Sequence, residues 1–538
     1  MKVARLGLFL FIAFLFLPLF GNASEPKVTW LFDWGEGSYY WAHLFAKVLL
    51  IIYTFCSCFI FIYASIQLFL GFNYLRNMKK MKALCNVPFD ETKTDHYKSV
   101  TIQLPMFNEL YVAERIIDTV AVMDYPRDKF QIQVLDDSTD ETRNIIAKKV
   151  EEWKNKGLNI SHIHRTDRTG YKAGALDDAM DRVEGEFIAI FDADFVPNKD
   201  FLKSTIQHFN DPNIGVVQTR WGHLNEKYSK LTELQAFGLN AHFIIEQCGR
   251  NSSGHFINFN GTAGVWRKSC IEDAGGWEHD TITEDLDLSY RAQIKGWKFK
   301  YLVDVVSPAE LPITMSALKK QQHRWMKGGA EVFVKIWKKL LFAKGVRASD
   351  KFHGLSHLFN SSVFLFIMAL CLSSLFMSNI AGSFPDLREY LAFFWLFYSS
   401  TAVLMLYYWI AYRDKTGNYF KDVLKFIPKF YLFLTMSSAL SLSNAIAVIE
   451  GWLGIKSSFV RTPKFNVSQK SEFSGNKYDV KKLSVVNIIE IIFFLIFSIS
   501  TVNMIIDNNL GTVVFHGMVA IGYGLVIFYT FKEFRTKY

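Results

Sequence analysis

Cysteine is scarce in this sequence and scattered: six in 538 residues, at positions 56, 58, 85, 248, 270 and 371, with no CxxC pair and no histidine at zinc-ligand spacing. That pattern excludes a disulfide framework and a cysteine-based metal cluster. Tandem repeats and low-complexity tracts are missing too, and the only linker-like stretch is the polar, Ser-, Lys- and Asn-rich segment 466–482. Net charge is a modest +9, with Lys and Arg set beside apolar runs instead of gathered in a basic tail. This suits a membrane face and argues against nucleic acid as a partner. What the chain has in excess is apolar surface: 50% hydrophobic and 16% aromatic, too apolar and too long for one ordinary soluble domain.

Lys2 and Arg5 precede an apolar stretch over 6–20 that ends in Gly21-Asn22-Ala23, so 1–23 reads as a secretory signal peptide or an uncleaved first span. The run 44–72 is long enough to cross a bilayer and is followed by Arg76, Lys79, Lys80 and Lys82, which puts its C-terminal end in the cytoplasm. Apolar runs return at 354–381, 388–411, 424–449, 485–507 and 512–531. The loops 412–429 and 450–484 are both basic, and a full span between them would set them on opposite sides of the membrane. Segment 424–449, with Ser437, Ser438, Ser441, Ser443 and Asn444 and followed by Glu450, is therefore expected to be re-entrant or interfacial. The whole reads as a multi-pass protein of the cell (inner) membrane whose polar domain is cytoplasmic.

That domain, 97–311, alternates β-rich runs such as 100–104 and 132–135 with helical stretches, which predicts a mainly parallel sheet covered on both faces. Asp136 and Asp192 each end an apolar run, so their loops lie at the carboxyl edge of the sheet, where α/β folds bind ligands.

Four clusters carry the chemistry. Asp136-Asp137-Ser138-Thr139-Asp140 concentrates negative charge that calls for a cation or for nucleotide donors, although a helix-capping turn would use the same residues. Asp192-Ala193-Asp194 ends the strand run 187–191, and two carboxylates two positions apart can hold a hard divalent ion that also ligates a diphosphate. In Thr283-Glu284-Asp285 a buried carboxylate can take the proton of an attacking hydroxyl, and the same residues suit a helix N-terminus. In Gln321-Gln322-His323-Arg324-Trp325, residues Gln321, Arg324 and Trp325 share one helix face. Arg forks onto a diphosphate and indole stacks on a sugar ring, on a segment, 312–345, that also reads as interfacial helix. The histidines, His162 and His164 among them, show no common spacing and read as surface or core residues.

In this order and at these intervals the clusters resemble the D, DxD, TED, QxxRW set of processive family 2 glycosyltransferases, which include cellulose, hyaluronan and chitin synthases. Segments 103–109, 170–176 and 259–267 extend the resemblance over most of the polar domain, in wording closest to the cellulose synthase-like mannan and glucomannan synthases. The resemblance implies a Rossmann-like α/β GT-A domain between transmembrane helices, and an inverting transfer that uses Mg²⁺ or Mn²⁺. By it, Asp136, Asp137, Lys172, Asp192, Gln321 and Arg324 bind the nucleotide-sugar, Asp192 and Asp194 the metal, and Asp285 is the catalytic base. Glu284, Asn260, Gly261, Thr262 and Trp325 face the acceptor. Segment 455–466, with Phe459, Arg461, Thr462 and Lys464, resembles the FxVTxK gating loop, with Arg461 where that pattern has Val; a basic loop binding anionic lipid is the alternative.

The function implied is synthesis of a β-linked polysaccharide (mannan, glucomannan or β-glucan) from GDP-mannose or UDP-glucose, with passage of the chain across the membrane. The alternative is a glycolipid synthase adding one or a few sugars to a lipid. A transporter or sensor with a dead domain would have lost the carboxylates, and Asp137, Asp192, Asp194 and Asp285 are all present. The partners expected are the nucleotide-sugar, a glycan or lipid acceptor and membrane lipids.

Overall fold

Val100–Met106 (β1) and Phe130–Asp136 (β2) are buried along almost their whole length, as strands covered on both faces must be. They belong to a seven-stranded sheet completed by Ile160–His164 (β3), Phe187–Ile190 (β4), Ile214–His223 (β5), Gly264–Arg267 (β6) and Lys298–Ala309 (β7), in the order β3-β2-β1-β4-β6-β5-β7. The computed structural model describes residues 36–413, 419–457, 462–466, 483–506 and 510–535. The segment 1–23 and residues Phe459 and Arg461 lie outside the described residues.

Side-chain alternation divides the sheet between two cores. Phe187, Ala189 and Phe191 join Ile102, Leu104, Ile132 and Val134 on one face. Ile188 and Ile190 join Val216, Trp266, Leu288 and Tyr301 on the other. β1, β2, β3 and β4 are mutually parallel, as the sequence predicts. The four-residue β6 runs antiparallel to both β4 and β5, so the sheet is mixed. The register sets Met106 beside Asp136 and Asp136 beside His164, which brings the three strand ends onto one edge.

Nine helices matter for the site: α1 (Glu36–Cys85), α2 (Tyr171–Asp178), α3 (Glu284–Ile294), α4 (Met315–Leu341), α5 (Val363–Ser383), α6 (Trp395–Arg413), α7 (Tyr419–Trp452), α8 (Val485–Ile506) and α9 (Leu510–Arg535). At 1.5 Å per residue α1 is about 75 Å long. Its residues Ala42 to Ile60 pack among apolar helices, while Tyr74 and Met81 enter the core of the sheet. One helix thus joins membrane bundle and polar domain. α4 is held at its N-terminal end: Thr314 caps it by accepting from Ala317 N, Lys319 Nζ lies 2.6 Å from Glu490 of α8, and Ser316 N donates to Glu533 of α9.

Among the described residues, five helical stretches are long and apolar enough to cross a bilayer: Tyr40–Cys85, Asn360–Met377, Lys421–Trp452, Val485–Ile506 and Thr512–Phe534. The chain is a multi-pass membrane protein. Segment 424–449, expected to be re-entrant or interfacial, lies within the continuous 34-residue α7, which has no turn inside it; Pro428 is accommodated within the helix. The expected span 388–411 is divided, since Pro385–Phe394 is 3-10 helix and only Trp395–Arg413 is α-helical.

Candidate active site

The carboxyl ends of β1, β2 and β4, the start of α3 and one face of α4 enclose a cavity lined by Asp137, Lys172, Asp192, Asp194, Asn260, Gly261, Glu284, Asp285, Gln321, Arg324, Trp325, Thr462 and Lys464. Residues far apart in sequence meet here because parallel strands deliver their loops to the same edge. Two of the expected site residues stand outside the lining. Asp136 points its fully buried carboxylate toward His162 and His164, with Oδ2 2.8 Å from His162 Nε2. Thr262 is buried under the DxD turn, where its hydroxyl accepts from Asp192 N at 2.9 Å.

Lys172, near the start of α2, organises the acids. Its Nζ donates to Asp192 Oδ1 at 2.6 Å and to Gly261 O at 2.8 Å, and lies 3.9 Å from Glu284. Burial alone would lower its pKa, but Asp192 and Glu284 outweigh it and the ammonium ends above its ordinary value. Gly261 has φ +78°, and a Cβ there would stand 3.0 Å from Asp285 Oδ2. Glycine therefore provides both the left-handed turn and the room for the Asp285 carboxylate.

Asp285 lies in the first turn of α3, where the helix dipole favours negative charge. Burial, with the Glu284 charge beside it, nonetheless pushes its pKa up to about 7. Glu284 is also raised by burial, against the pull of Lys172. Thr283, just before α3, packs against α4 at Gly328, where a Cβ would come within 2.4 Å of Thr283 Cγ2. That contact fixes the acidic turn against the helix carrying Gln321, Arg324 and Trp325. Burial lowers the Arg324 pKa, with Asp192 the main opposing charge. Trp325 lies 6.4 Å from Trp221, ring centroid to centroid, so the two indoles form an aromatic wall.

Several contributors have no place in the sequence reading. Arg165 grips Asp137 with two parallel bonds, Nε to Oδ1 at 2.8 Å and Nη2 to Oδ2 at 2.7 Å. The Arg168 guanidinium lies 3.2 Å from the Phe107 ring centroid, making a flat surface next to Asp137. Both arginines precede the segment 170–176, and their position just after β3 is the signal that could have found them. Glu310, immediately after β7, accepts from Phe465 N at 2.8 Å and Asn466 N at 2.9 Å, while Lys464 Nζ donates to Asp194 Oδ2 at 2.6 Å. Segment 462–466 is thereby seated in the cavity. Nothing in the sequence around Glu310 announces that role.

The cavity lining carries seven carboxylates (Glu109, Asp137, Asp192, Asp194, Glu284, Asp285, Glu310) against four permanent cations (Arg168, Lys172, Arg324, Lys464). This excess of negative charge, with Asp192 and Asp194 both open to the cavity, fits a hard divalent cation. Buried polar atoms also await a ligand: Asn260 Nδ2 and Thr462 Oγ1 have no hydrogen-bond partner.

The family model described as "Glycosyltransferase like family 2" matches residues 98–328. The chain carries a family 2 glycosyltransferase domain. Glucomannan 4-beta-mannosyltransferase 1 of Oryza sativa subsp. japonica is 41% identical to it over 297 residues, covering 54% of this chain and 57% of that protein. Glucomannan 4-beta-mannosyltransferase 1 of Cyamopsis tetragonoloba is 43% identical over 266 residues, 48% of this chain and 51% of that protein. The chain spans about half the length of the curated relatives it matches. Among solved structures, mannosyltransferase PcManGT from Pyrobaculum calidifontis, in complex with GDP-Man and Mn²⁺, aligns at 19% identity over 74% of this chain and 100% of that chain, with a TM-score of 0.46. The matched residues fold around the mixed, Rossmann-like α/β sheet, whose parallel part β3-β2-β1-β4 the sequence predicts.

Proposed function

We propose that the chain is an inverting, metal-dependent hexosyltransferase that takes mannose from GDP-mannose, or glucose from UDP-glucose, to build a β-linked mannan, glucomannan or β-glucan. The observation that supports this most is the Lys172, Asp192 and Asp285 arrangement around Gly261, which sets a base of raised pKa within reach of a diphosphate-binding edge. The 41–43% identity to named mannosyltransferases favours mannose as the sugar transferred.

In this reading Asp137 and the Phe107–Arg168 surface receive the nucleotide, and Lys172, Gln321 and Arg324 donate to the diphosphate. Asp192 and Asp194 would hold Mg²⁺ or Mn²⁺, which neutralises charge on the departing diphosphate. Asn260, Glu284 and the Trp221–Trp325 wall orient the acceptor sugar. Asp285 accepts the proton of the acceptor hydroxyl as that oxygen bonds to the anomeric carbon, and the nucleoside diphosphate leaves from the opposite face with the bonding pair. Segment 462–466, with Thr462 and Lys464, closes the cavity against water. The glycosyltransferase domain lies on the cytoplasmic side of the cell membrane, where the donor is made, and the polymer passes outward through the helices.

The test is incorporation of radiolabelled sugar by the purified full-length protein, given GDP-mannose and UDP-glucose separately with Mg²⁺ or Mn²⁺. Long polymer that is sensitive to a β-glycosidase supports the proposal. Lipid-extractable counts alone would replace it with glycolipid synthesis, and no metal-dependent transfer from a wider donor panel would sink both.

A further inference from the structure

Behind the donor cavity lies a second cleft, with room for water of about 410 Å³, lined by Asp136, His162, His164, Arg165, Asp178 and Arg182. It opens at β3, the edge strand of the sheet. His162 and His164 are two apart on β3 and so face the same side, and the parallel register sets Asp136 of β2 directly beside His164. Their ligating atoms, Asp136 Oδ2, His162 Nε2 and His164 Nδ1, all lie within 4.8 Å of one another.

A hydrogen-bonded trio would account for only part of this. His162 Nε2 stands 2.8 Å from Asp136 Oδ2 and pairs with it. His164 Nδ1 stands 3.3 Å from the same oxygen and is buried, yet makes no hydrogen bond. Leaving a buried ring nitrogen unsatisfied beside a carboxylate is costly. A bound cation would satisfy it. Ligand atoms about 2.0–2.1 Å from a tetrahedral zinc stand about 3.3 Å from each other. Asp136 brings a carboxylate oxygen to the two imidazoles. Its other oxygen is fixed by Ser138 N at 2.8 Å, the kind of outer contact that orients a ligating carboxylate.

We propose that Asp136, His162 and His164 form a binding site for one borderline divalent cation of the zinc type, held by two imidazoles and one carboxylate with the remaining position open to the edge cleft. Two imidazoles favour zinc, nickel or copper over the Mg²⁺ or Mn²⁺ suited to the all-oxygen pair Asp192 and Asp194. Among the charged groups around the cleft, Arg165 is already committed to Asp137 and Asp178, at 2.7 and 2.6 Å. The other three-ligand cluster among the described residues, Glu278, Asp280 and Asp287, offers carboxylates alone and already holds the Lys335 ammonium at 2.6, 2.6 and 3.0 Å. A cation on Asp136 would stiffen the strand end that presents Asp137 to the donor cavity.

The experiment is a zinc titration of the full-length protein, purified on a tag without histidine and stripped with chelator. The expected result is one tightly bound equivalent of Zn²⁺ that is lost in His162→Ala/His164→Ala and kept in Asp192→Asn. Absence of stoichiometric zinc, or the same stoichiometry in the double variant, would overturn the proposal. Should the double variant fail to fold, X-ray absorption of zinc-loaded wild type decides: scattering from two imidazoles supports the site, and an oxygen-only or sulfur shell contradicts it. Neither readout depends on transferase activity, so this site and the proposed reaction stand or fall separately.

Discussion

Lys464 Nζ lies 2.6 Å from Asp194 Oδ2, although the two residues are 270 positions apart in sequence. A basic group from the segment beyond α7 thus sits on the second carboxylate of the DxD pair, and Lys172 sits on the first. The two ammonium groups hold charge that a divalent ion would otherwise neutralise, so seating of segment 462–466 and metal occupancy draw on the same carboxylate. Lys464→Ala is expected to lower the Mn²⁺ or Mg²⁺ concentration giving half-maximal activity, while Asp194→Asn costs about 100-fold or more in kcat/KM, the scale of losing one stabiliser of developing charge. A metal titration of the two variants beside wild type checks both halves.

Asp285→Asn removes the proposed base, and kcat should fall by about 10²–10⁴. Because the Asp285 pKa is raised to about 7, the wild-type enzyme should gain activity with rising pH through an acid limb near that value. Lys172 lowers that pKa, so Lys172→Met should move the limb to higher pH as well as weaken donor binding. A pH profile of kcat for both proteins reads this directly.

The same shift bears on stability. A carboxyl whose folded pKa is above its unfolded value binds more protons when folded, so its contribution declines as pH rises from the unfolded value, 3.8, through about 7. Asp285→Asn should therefore melt above wild type at pH 8, and the gap should narrow at pH 5. Thermal scans of detergent-solubilised protein at the two pH values would show it, and an equal gap at both would count against the burial of this acid.

Glu310 holds the amides of Phe465 and Asn466. Glu310→Ala should leave both N–H groups unpaired and speed their hydrogen exchange, with the exchange of β1 and β2 amides unchanged. Uniform acceleration throughout would mean a general loss of fold instead.

Gly328→Ala places a methyl within 2.4 Å of Thr283 Cγ2 and 3.0 Å of its Cβ, an overlap with a short, branched side chain on the acidic turn. Overpacking of this kind costs about 1–3 kcal/mol. The expected outcome is a lowered melting temperature together with reduced kcat, since the Thr283-Glu284-Asp285 turn must move away from α4.

Trp325→Ala opens the wall shared with Trp221, and loss of an aromatic contact worth about 1 kcal/mol should raise the acceptor KM about fivefold. Trp325→Phe should recover most of it.

Why some of this was legible in the sequence and some was not follows from the range of the signals. Asp137, Asp192 and Asp194 end apolar strand runs, and Asp285 and Arg324 sit at fixed places on short helical patterns, so local periodicity places them at one edge. Asp136 and Asp137 are neighbours on such an edge, and only the structure shows that Asp137 lines the donor cavity while Asp136 turns its carboxylate to His162 and His164. His162 and His164 acquire meaning only opposite Asp136, 26 and 28 residues away. The antiparallel β6, four residues long, gives too short a pattern to announce its direction. α7 shows the limit of loop charge: its serines point to a polar environment, and several of them bond to carbonyls one turn back without breaking the helix.

The measurement that tests the central claim most directly is the configuration of the bond made: proton and carbon NMR of the product formed from the α-linked donor GDP-mannose, with Asp285→Asn as the control. A β-linked mannan, absent from the control reaction, is the predicted result. An α-linked product, or unchanged synthesis by the Asp285 variant, would contradict an inverting transfer with Asp285 as base.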